Sequence, residues 1–248
     1  MSRRVRIAIF VPAIALFGFL LAWSLVAIPR FGDYRGPYGF VLNRVVTPER
    51  HMTNVVTATV FDYRGFDTMG EEFILFIAVV GVVLLLRQKE RERGRDLTDA
   101  IGSDGVRVGG TLAVGVAVVV SLWLIAFGFV TPGGGFQGGA ALASSVLLVF
   151  LVASWKAWSG IAEETYLDPF EGLGAGGYVV IGLAALIGGL PFLTNFFGPG
   201  APGTLSSGGS AVFVNWAAGM EVAAANLVLF SEFLEEYVVP LARSEGSA

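Results

Sequence analysis

The sequence predicts an all-α integral membrane protein with about six transmembrane helices joined by Gly/Pro-rich loops. Three observations support this class. Hydrophobic residues make up 54% of the chain, charged residues only 15%, and the mean hydropathy is +0.71. Soluble domains contain about 25% charged residues. In addition, uncharged runs long enough to cross about 30 Å of hydrocarbon recur along the chain.

Six apolar stretches are the predicted spans. The first, Ile7–Ile28, is too long for the apolar core of a signal peptide, so we interpret it as a retained anchor that ends at Pro29. The others are predicted at Phe73–Leu86, Val108–Val130, Phe136–Trp155, Ala175–Leu193 and Ala211–Phe233. The segment 54–61 is apolar and β-branched, and its pattern fits either a short buried strand or an interfacial helix.

The second predicted span is short for a membrane helix. Its 14 residues rise about 21 Å, which is less than the hydrocarbon thickness. Either the helix extends back through Glu71 and Glu72, or Arg87 snorkels to the interface while the bilayer thins locally. In both cases the two carboxylates lie at or inside the membrane boundary.

Basic residues in the short loops predict the orientation. They cluster at the N-terminus and between the second and third spans, so both regions are expected to be cytoplasmic. Both termini of this multi-pass plasma membrane protein are then cytoplasmic, and the loop after the third span faces outward. Lys156, Trp155 and Trp158 are predicted to anchor the end of the fourth span at the interface.

Composition excludes several functional classes. The chain has no cysteine and a single histidine, His51, so it cannot by itself build an iron–sulfur cluster or a multi-histidine metal site. No nucleophile–base pair, phosphate loop or metal-ligand cluster is recognisable in the sequence. Basic residues flank spans without the pattern of a nucleic-acid site. We therefore predict no enzymatic activity, no cofactor or metal, and no nucleic-acid partner.

The decapeptide Thr131–Ala140 (TPGGGFQGGA) lies between the third and fourth spans. Its proline stops a helix, and its glycines permit unusual dihedrals and close backbone approach. Lipid cannot satisfy backbone polar groups that leave a helix at this depth. Two interpretations stay open: a tight turn, or a packing surface inside a larger assembly. The motif residues are Pro132, Gly133, Gly134, Gly135, Phe136, Gln137, Gly138 and Gly139.

Glu221 is the single charged residue well inside a long apolar run. It lies about 15 Å along the sixth span, where an acid costs about 2.5–3.5 kcal/mol on insertion scales. We expect it to face the bundle interior or a water path, as a proton or sodium way-station or as a structural acid. Asn215 and Asn226 lie on other faces, so its partner is expected from another subunit. Glu232, Glu235 and Glu236 are predicted to form a solvated helix end.

These motifs resemble a known family. The decapeptide, GPGAPGTLSSGG at 198–209, GMEVAA at 219–224 and FLEE at 233–236 resemble the MnhB-type subunit of Mrp-type cation/proton antiporters. Residues 54–71, including DYRGFDT at 62–68, resemble the MbhE-type domain, which ends the large subunit of Mrp antiporters and is a separate subunit in membrane-bound hydrogenases. We therefore expect a two-helix MbhE-like domain at 1–96 and a four-helix MnhB-like domain at 105–240.

The resemblance implies an accessory subunit of a multisubunit complex that exchanges Na⁺ for H⁺ and includes complex I-like antiporter subunits. A histidine often precedes the family's PGGG motif, and Phe127-Gly128-Phe129 stands here instead, so no proton relay is supported at that spot. Lys89 and Lys156 flank spans, which agrees with an accessory role. The candidate ion-pathway residues are Glu221, Glu71, Asp67 and Glu72.

Three alternatives remain at this stage. The same module could belong to a membrane-bound hydrogenase or a related ferredoxin-linked respiratory complex. The chain could also be a purely structural scaffold whose carboxylates pair with neighbouring subunits. A self-contained small transporter is disfavoured, because the internal repeats found in many carriers are not evident.

Overall fold

The computed structural model describes residues 3–26, 28, 36–86, 103–153, 155–162 and 164–245. All regular structure in these ranges is helical, which confirms the predicted class. The helices are α1 (Arg3–Val26), α2 (Pro37–Arg50), α3 (Val55–Ala58), a π-helical turn (Thr59–Tyr63), α4 (Gly65–Leu86), α5 (Asp104–Ala126), α6 (Gly135–Val152), α7 (Trp155–Ile161), α8 (Glu164–Ile187) and α9 (Ala211–Glu245).

The chain divides into two compact units, residues 1–41 and residues 42–248. The first unit contains α1, whose described apolar side chains are exposed, as expected of a helix surrounded by lipid. Five helices in the described ranges are long and apolar enough to cross a membrane: α4, α5, α6, α8 and α9. α1 adds the shorter apolar stretch Phe10–Val26. The prediction of about six spans is therefore confirmed.

Several predicted boundaries differ from the observed ones. α4 begins at Gly65, so the helix extends back through Glu71 and Glu72, the first of the two alternatives. The segment before it is helical, and the strand alternative for 54–61 is wrong. α8 begins before the predicted start at Ala175, because its acidic first turns continue the helix instead of ending it. α5 ends at Ala126 and not at Val130, since the chain turns at Phe127.

Three polar segments meet at one end of the second unit: residues 51–64, 127–134 and 188–210. Asn54 connects the first two, because its Nδ2 donates to the carbonyls of Gly128 (2.7 Å), Thr131 (3.0 Å) and Gly133 (3.2 Å). Its Oδ1 accepts from two backbone N–H groups and caps α3. Asn195 donates to Asp62 across the first and third segments. Consequently α4, α6 and α9 all start at this end, and we call it the loop end.

The helix α9 forms the centre of the second unit. Of its most apolar window 72% is buried, against 28% or less for the other four spans. It packs against α8, α6 and α4. At its start, Asn215 is fully buried, donates to the Ile125 carbonyl (2.8 Å) and accepts from the Gly135 N–H (2.7 Å). One amide therefore satisfies both the last turn of α5 and the first turn of α6.

The glycines of the decapeptide serve both proposed purposes. Gly133 and Gly134 have φ values of +154° and +149°, which L side chains rarely adopt, and they form the turn. The later glycines form a packing surface inside the chain. A Cβ at Gly139 would lie 2.8 Å from the Gly219 carbonyl on α9, and a Cβ on Gly219 would lie 2.7 Å from Ile125 of α5. Backbones approach closely here, as is usual where small residues meet in membrane helices.

Gly139→Ala is expected to destabilise the folded protein by about 1–3 kcal/mol, because the added methyl group collides with backbone that cannot move independently. The thermal midpoint of the protein in detergent should fall. Gly115→Ala is the matched control, because a Cβ there meets no atom within 4 Å and the change improves helix propensity. Equal midpoints for the two variants would contradict the packing argument.

Candidate functional site

Glu221 lies inside the helix bundle and not against lipid. Its exposed fraction is 0%. The opposing helix α8 carries Gly174 at this level, where a Cβ would stand 2.6 Å from the Cβ of Glu221. The close approach of the two backbones encloses the acid. The expectation that Glu221 faces the bundle interior agrees with this position.

The nearest ionisable neighbour of Glu221 is a second acid of the same chain. Glu72 on α4 is 1% exposed, and its carboxyl group lies within hydrogen-bonding reach of that of Glu221. All four carboxyl oxygens are buried, and no donor among the described residues contacts them. The predicted partner from another subunit is therefore not needed to explain why Glu221 is buried next to a polar group.

This pair cannot hold two negative charges at little cost. Two unit charges about 4 Å apart repel by about 4 kcal/mol at an effective dielectric constant near 20. Each buried ion also carries a desolvation penalty of several kcal/mol. A single proton removes most of this cost, because the protonated carboxyl donates to its neighbour and the pair then satisfies itself. We infer that the Glu72–Glu221 pair retains at least one proton when the bundle is closed.

Hydroxyl groups extend from the pair toward the loop end. Tyr178 on α8 is buried, and its hydroxyl donates to the Gly65 carbonyl at 2.8 Å. The same hydroxyl lies close to Thr68 and to Glu72. Thr68 in turn donates to the Val60 carbonyl at 2.6 Å. Polar groups therefore continue from the carboxylates to the backbone that precedes α4.

Two further acids are buried along the same helices. Glu232 is 1% exposed and follows Glu221 by eleven residues, about three turns, so the two share one face of α9. Glu171 on α8 is also buried. The prediction of a solvated end is wrong for Glu232. The side chains of Glu235 and Glu236 lie outside the described residues.

The burial of this end of α9 has a simple structural reason. Trp158 and Ala162, from α7 and the residue after it, join Leu167 of α8 and Val228 of α9 in one hydrophobic cluster. The prediction that Trp158 is an interfacial anchor is wrong, because its side chain is only 1% exposed. Trp155 also packs against this cluster, while the side chain of Lys156 lies outside the described residues.

Asp67 does not join the buried pair. It lies in the first turn of α4, exposed, and forms an ion pair with Arg64, whose Nε donates to its Oδ2 at 2.6 Å. Asp62 is the more enclosed acid of the segment, held by Asn195 Nδ2 at 3.0 Å and Arg50 Nε at 3.5 Å. These acids tie the loop end together by polar contacts.

Tyr63 belongs to the same loop-end network. Its hydroxyl donates to a Glu49 oxygen at 2.6 Å. Burial, followed by the hydrogen bond and charge of Glu49, raises the pKa of Tyr63 to about 12. The phenol therefore keeps its proton and remains a donor at physiological pH. This contact joins α2 to the π-helical turn.

Glu71 and Gln137 meet at a surface cleft. The two side chains, which the sequence singles out separately, line one cleft of about 190 Å³ together with Thr57, Phe61 and Phe136. Both are exposed. Consecutive residues on a helix point about 100° apart, so Glu71 faces this cleft while Glu72 faces α9. The structure thus separates the two neighbouring carboxylates into two environments.

No group of three or more histidine, cysteine, aspartate or glutamate side chains with metal-binding geometry occurs among the described residues. Sequence reasoning missed the proximity of Glu72 and Glu221, which come from helices far apart in the chain. One signal was present: Thr68, Glu72 and Val79 repeat at four and seven residues and define a buried face of α4.

The fold and the enclosed acids define a multi-pass membrane protein with ionisable groups inside its helix bundle. The chain belongs to the MnhB family and carries an MbhE domain before it. The family described as "Domain related to MnhB subunit of Na+/H+ antiporter" matches residues 106–228. The MbhE family, which describes one of the subunits of MBH, matches residues 3–102. The resemblance read from the sequence is confirmed.

Two curated proteins are similar in sequence. Uncharacterized protein MJ1307 of Methanocaldococcus jannaschii is 28% identical over 206 residues, which are 74% of this chain and 78% of that protein. The probable K(+)/H(+) antiporter A/B subunit of Rhizobium meliloti is 29% identical over 168 residues. The match covers 58% of this chain but 16% of that longer protein.

Two solved structures share the fold. A chain of the membrane-bound sulfane sulfur reductase, an archaeal respiratory membrane complex, matches with a TM-score of 0.69 and 28% identity over 93% of this chain and 98% of that one. A chain of the Mrp complex from a Dietzia species matches with a TM-score of 0.66 and 21% identity. That match covers 94% of this chain and 26% of the other.

Infrared spectroscopy of the assembled complex tests the shared proton. At neutral pH we expect a carbonyl stretch from a protonated, buried carboxyl group. The double variant Glu72→Gln/Glu221→Gln should lose this signal, because no acid remains at the position. Glu49→Gln, which removes an acid of the loop end, should leave it unchanged. An identical carbonyl signal in the double variant would show that the pair carries no proton.

Proposed function

We propose that this chain is an accessory membrane subunit of a multisubunit Mrp-type Na⁺(cation)/H⁺ antiporter, and that the Glu72–Glu221 pair is a protonatable site on its ion path. The main support is the position of two carboxylates side by side, enclosed by helices, without a donor from the described residues. Buried ionisable groups in membrane segments commonly mark ion paths. The family names and the Mrp-like fold support the host complex.

The pair suits exchange between a proton and a cation. Loss of the shared proton leaves an additional negative charge that the low dielectric opposes. A monovalent cation with oxygen preference can compensate this charge, and the returning proton can displace it. Tyr178 and Thr68 would supply hydroxyl groups between the pair and the loop end. Glu71, at the cleft, and Asp67, in its ion pair, would act only at the outer approach to the path.

An accessory role follows from the sequence content. The chain has two lysines, Lys89 and Lys156, and both flank predicted spans. Proton-pumping lysines would therefore reside in the complex I-like antiporter subunits that accompany the chain. We further propose that the termini lie in the cytoplasm and the loop end outside, and that residues 1–96 and 105–240 form the MbhE-like and MnhB-like domains.

A respiratory complex is a second candidate host. The matching chain of the archaeal sulfane sulfur reductase shares 28% identity with this chain, more than the Mrp chain does. The same exchange site would then work beside a redox module. Affinity purification of the tagged chain from its native membranes separates the hosts, because a redox host brings iron–sulfur absorbance and subunits with cysteine motifs, while an antiporter alone brings neither.

Glu221→Gln should reduce cation/proton exchange in everted vesicles by about tenfold or more, which corresponds to about 1.4 kcal/mol on the exchange barrier. The amide retains the shape and hydrogen bonding of the acid but cannot release a proton. Glu72→Gln should behave alike, because the two acids share one function.

The control is Glu49→Gln, which removes an acid of the loop end and should retain full exchange. Assembly of each variant is followed by native gel electrophoresis. Normal exchange by a fully assembled Glu221→Gln complex would refute the ion-path role and favour the scaffold alternative.

A further inference from the structure

Two polar side chains on membrane-spanning helices face outward at one place on the surface. Glu71 lies in α4 and Gln137 in α6, both exposed, and both line the cleft described above. Neither forms a hydrogen bond or an ion pair with another described residue. Hydrocarbon supplies no partner for either group. A polar neighbour outside the chain is therefore required at this position.

The depth of Glu71 makes this requirement strict. Glu71 follows the first residue of α4, Gly65, by six positions, about 9 Å of rise along the helix. Its neighbour Glu72 is turned toward α9, so the two acids cannot share a partner. Gln137 lies in the first turn of α6, which starts at the same end as α4. The two side chains thus mark one level of the bundle.

Below this level, two exposed stripes continue from the polar pair. On α6 the stripe runs through Gln137, Ala140 and Ser144, and on α4 it runs through Glu71, Ile74 and Ala78. Each set repeats at three and seven residues and therefore occupies one face of its helix. Both helices pack on α9, so the stripes form the walls of a groove above it. We call this surface the α4–α6 groove.

Small residues in the groove favour a helix as the occupant. Ala78, Ala140 and Ser144 allow a neighbouring helix backbone to approach closely, which is the usual basis of helix association in lipid. The exposed face of α5 offers the contrast. There Leu112, Val116 and Val119 are exposed and apolar, and the face suits lipid.

We propose that the α4–α6 groove receives one transmembrane helix of a neighbouring subunit, which places a basic side chain against Glu71 and Gln137. The carboxylate needs a cationic donor, and the amide oxygen of Gln137 can accept from the same group. The polar end then sets the depth of the incoming helix, while the small residues set its distance. The proposal rests on membership of a complex, but not on the ion-path role of Glu72 and Glu221.

Photo-crosslinking in the intact complex tests the occupant. A diazirine amino acid is placed singly at Ala78, Ala140 or Ser144 by genetic encoding, and Val116 serves as the matched lipid-facing control. Positions on both walls should crosslink to the same peptide of one neighbouring protein, and that peptide should carry Lys or Arg. The control should give lipid adducts. Lipid adducts from all groove positions would overturn the proposal.

A water-filled crevice is the other possible occupant. Because the chain has no cysteine, Ser144→Cys provides a unique thiol for a membrane-impermeant maleimide. Protection of this thiol in the complex, with labelling only after denaturation, supports an occupied groove. Rapid labelling of the native complex would show that water and not a helix fills it, and would overturn the proposal.

Charge reversal tests the basic partner. Glu71→Lys should lower the amount of the crosslinked protein that copurifies by at least about tenfold, because like charges then face each other at a desolvated contact. Changing the identified basic residue to Glu should restore copurification. Glu49→Lys, at the loop end, is the control. Failure of the restoring change, with both proteins inserted, would exclude the ion pair, whereas failure of the ion-path proposal appears as normal exchange by the Glu221→Gln complex.

Discussion

Close backbone contact at glycines is the constraint on which the second unit depends. Membrane helices gain little from hydrophobic burial against one another, so their association relies on packing and polar contacts. Gly139 of α6 and Gly174 of α8 both bring their backbones against α9. This places α9 at the centre and holds Glu221 away from lipid. The carboxylate pair is therefore a consequence of the glycine contacts, and a bulkier residue at either glycine would open the space that encloses the acids.

The pair differs from a buried salt bridge in a useful way. An acid paired with a cation has its charge fixed, whereas two acids that share a proton can change their net charge by one without a large rearrangement. Both interpretations of the site, ion path and scaffold, require this local arrangement. They differ in whether the proton leaves during the working cycle. The hydroxyl groups of Tyr178 and Thr68 give the proton a polar neighbourhood toward the loop end, which a purely structural pair does not need.

The sequence predicted the fold class and the number of spans because both follow from composition and from the length of apolar runs. It also predicted that Glu221 is enclosed, since an acid in lipid is costly. It did not predict the start of α8, because Glu171 and its acidic neighbours looked like loop residues until the structure showed them packed among helices. Trp158 failed for a related reason. Aromatic residues near a span end are frequent at interfaces, but the short helix α7 folds this one into the core.

The meeting of Glu72 and Glu221 could not be predicted from one sequence. Their proximity depends on how α4 and α9 are arranged, and that arrangement is fixed by Asn54, Asn215 and the glycines of the decapeptide. Each of these residues reads as an ordinary loop or helix residue in isolation. Only the contacts reveal that one amide can join two turns of different helices.

The Asn54 amide has an evolutionary consequence. It binds three carbonyls of the turn at 128–133, so residues matched by the MbhE family hold residues matched by the MnhB family through noncovalent contacts. Where such contacts already exist, a covalent connection adds mainly effective concentration. Genes for the two domains could therefore be fused or separated during evolution without redesign of the interface, and the same contacts would serve within one polypeptide or between two.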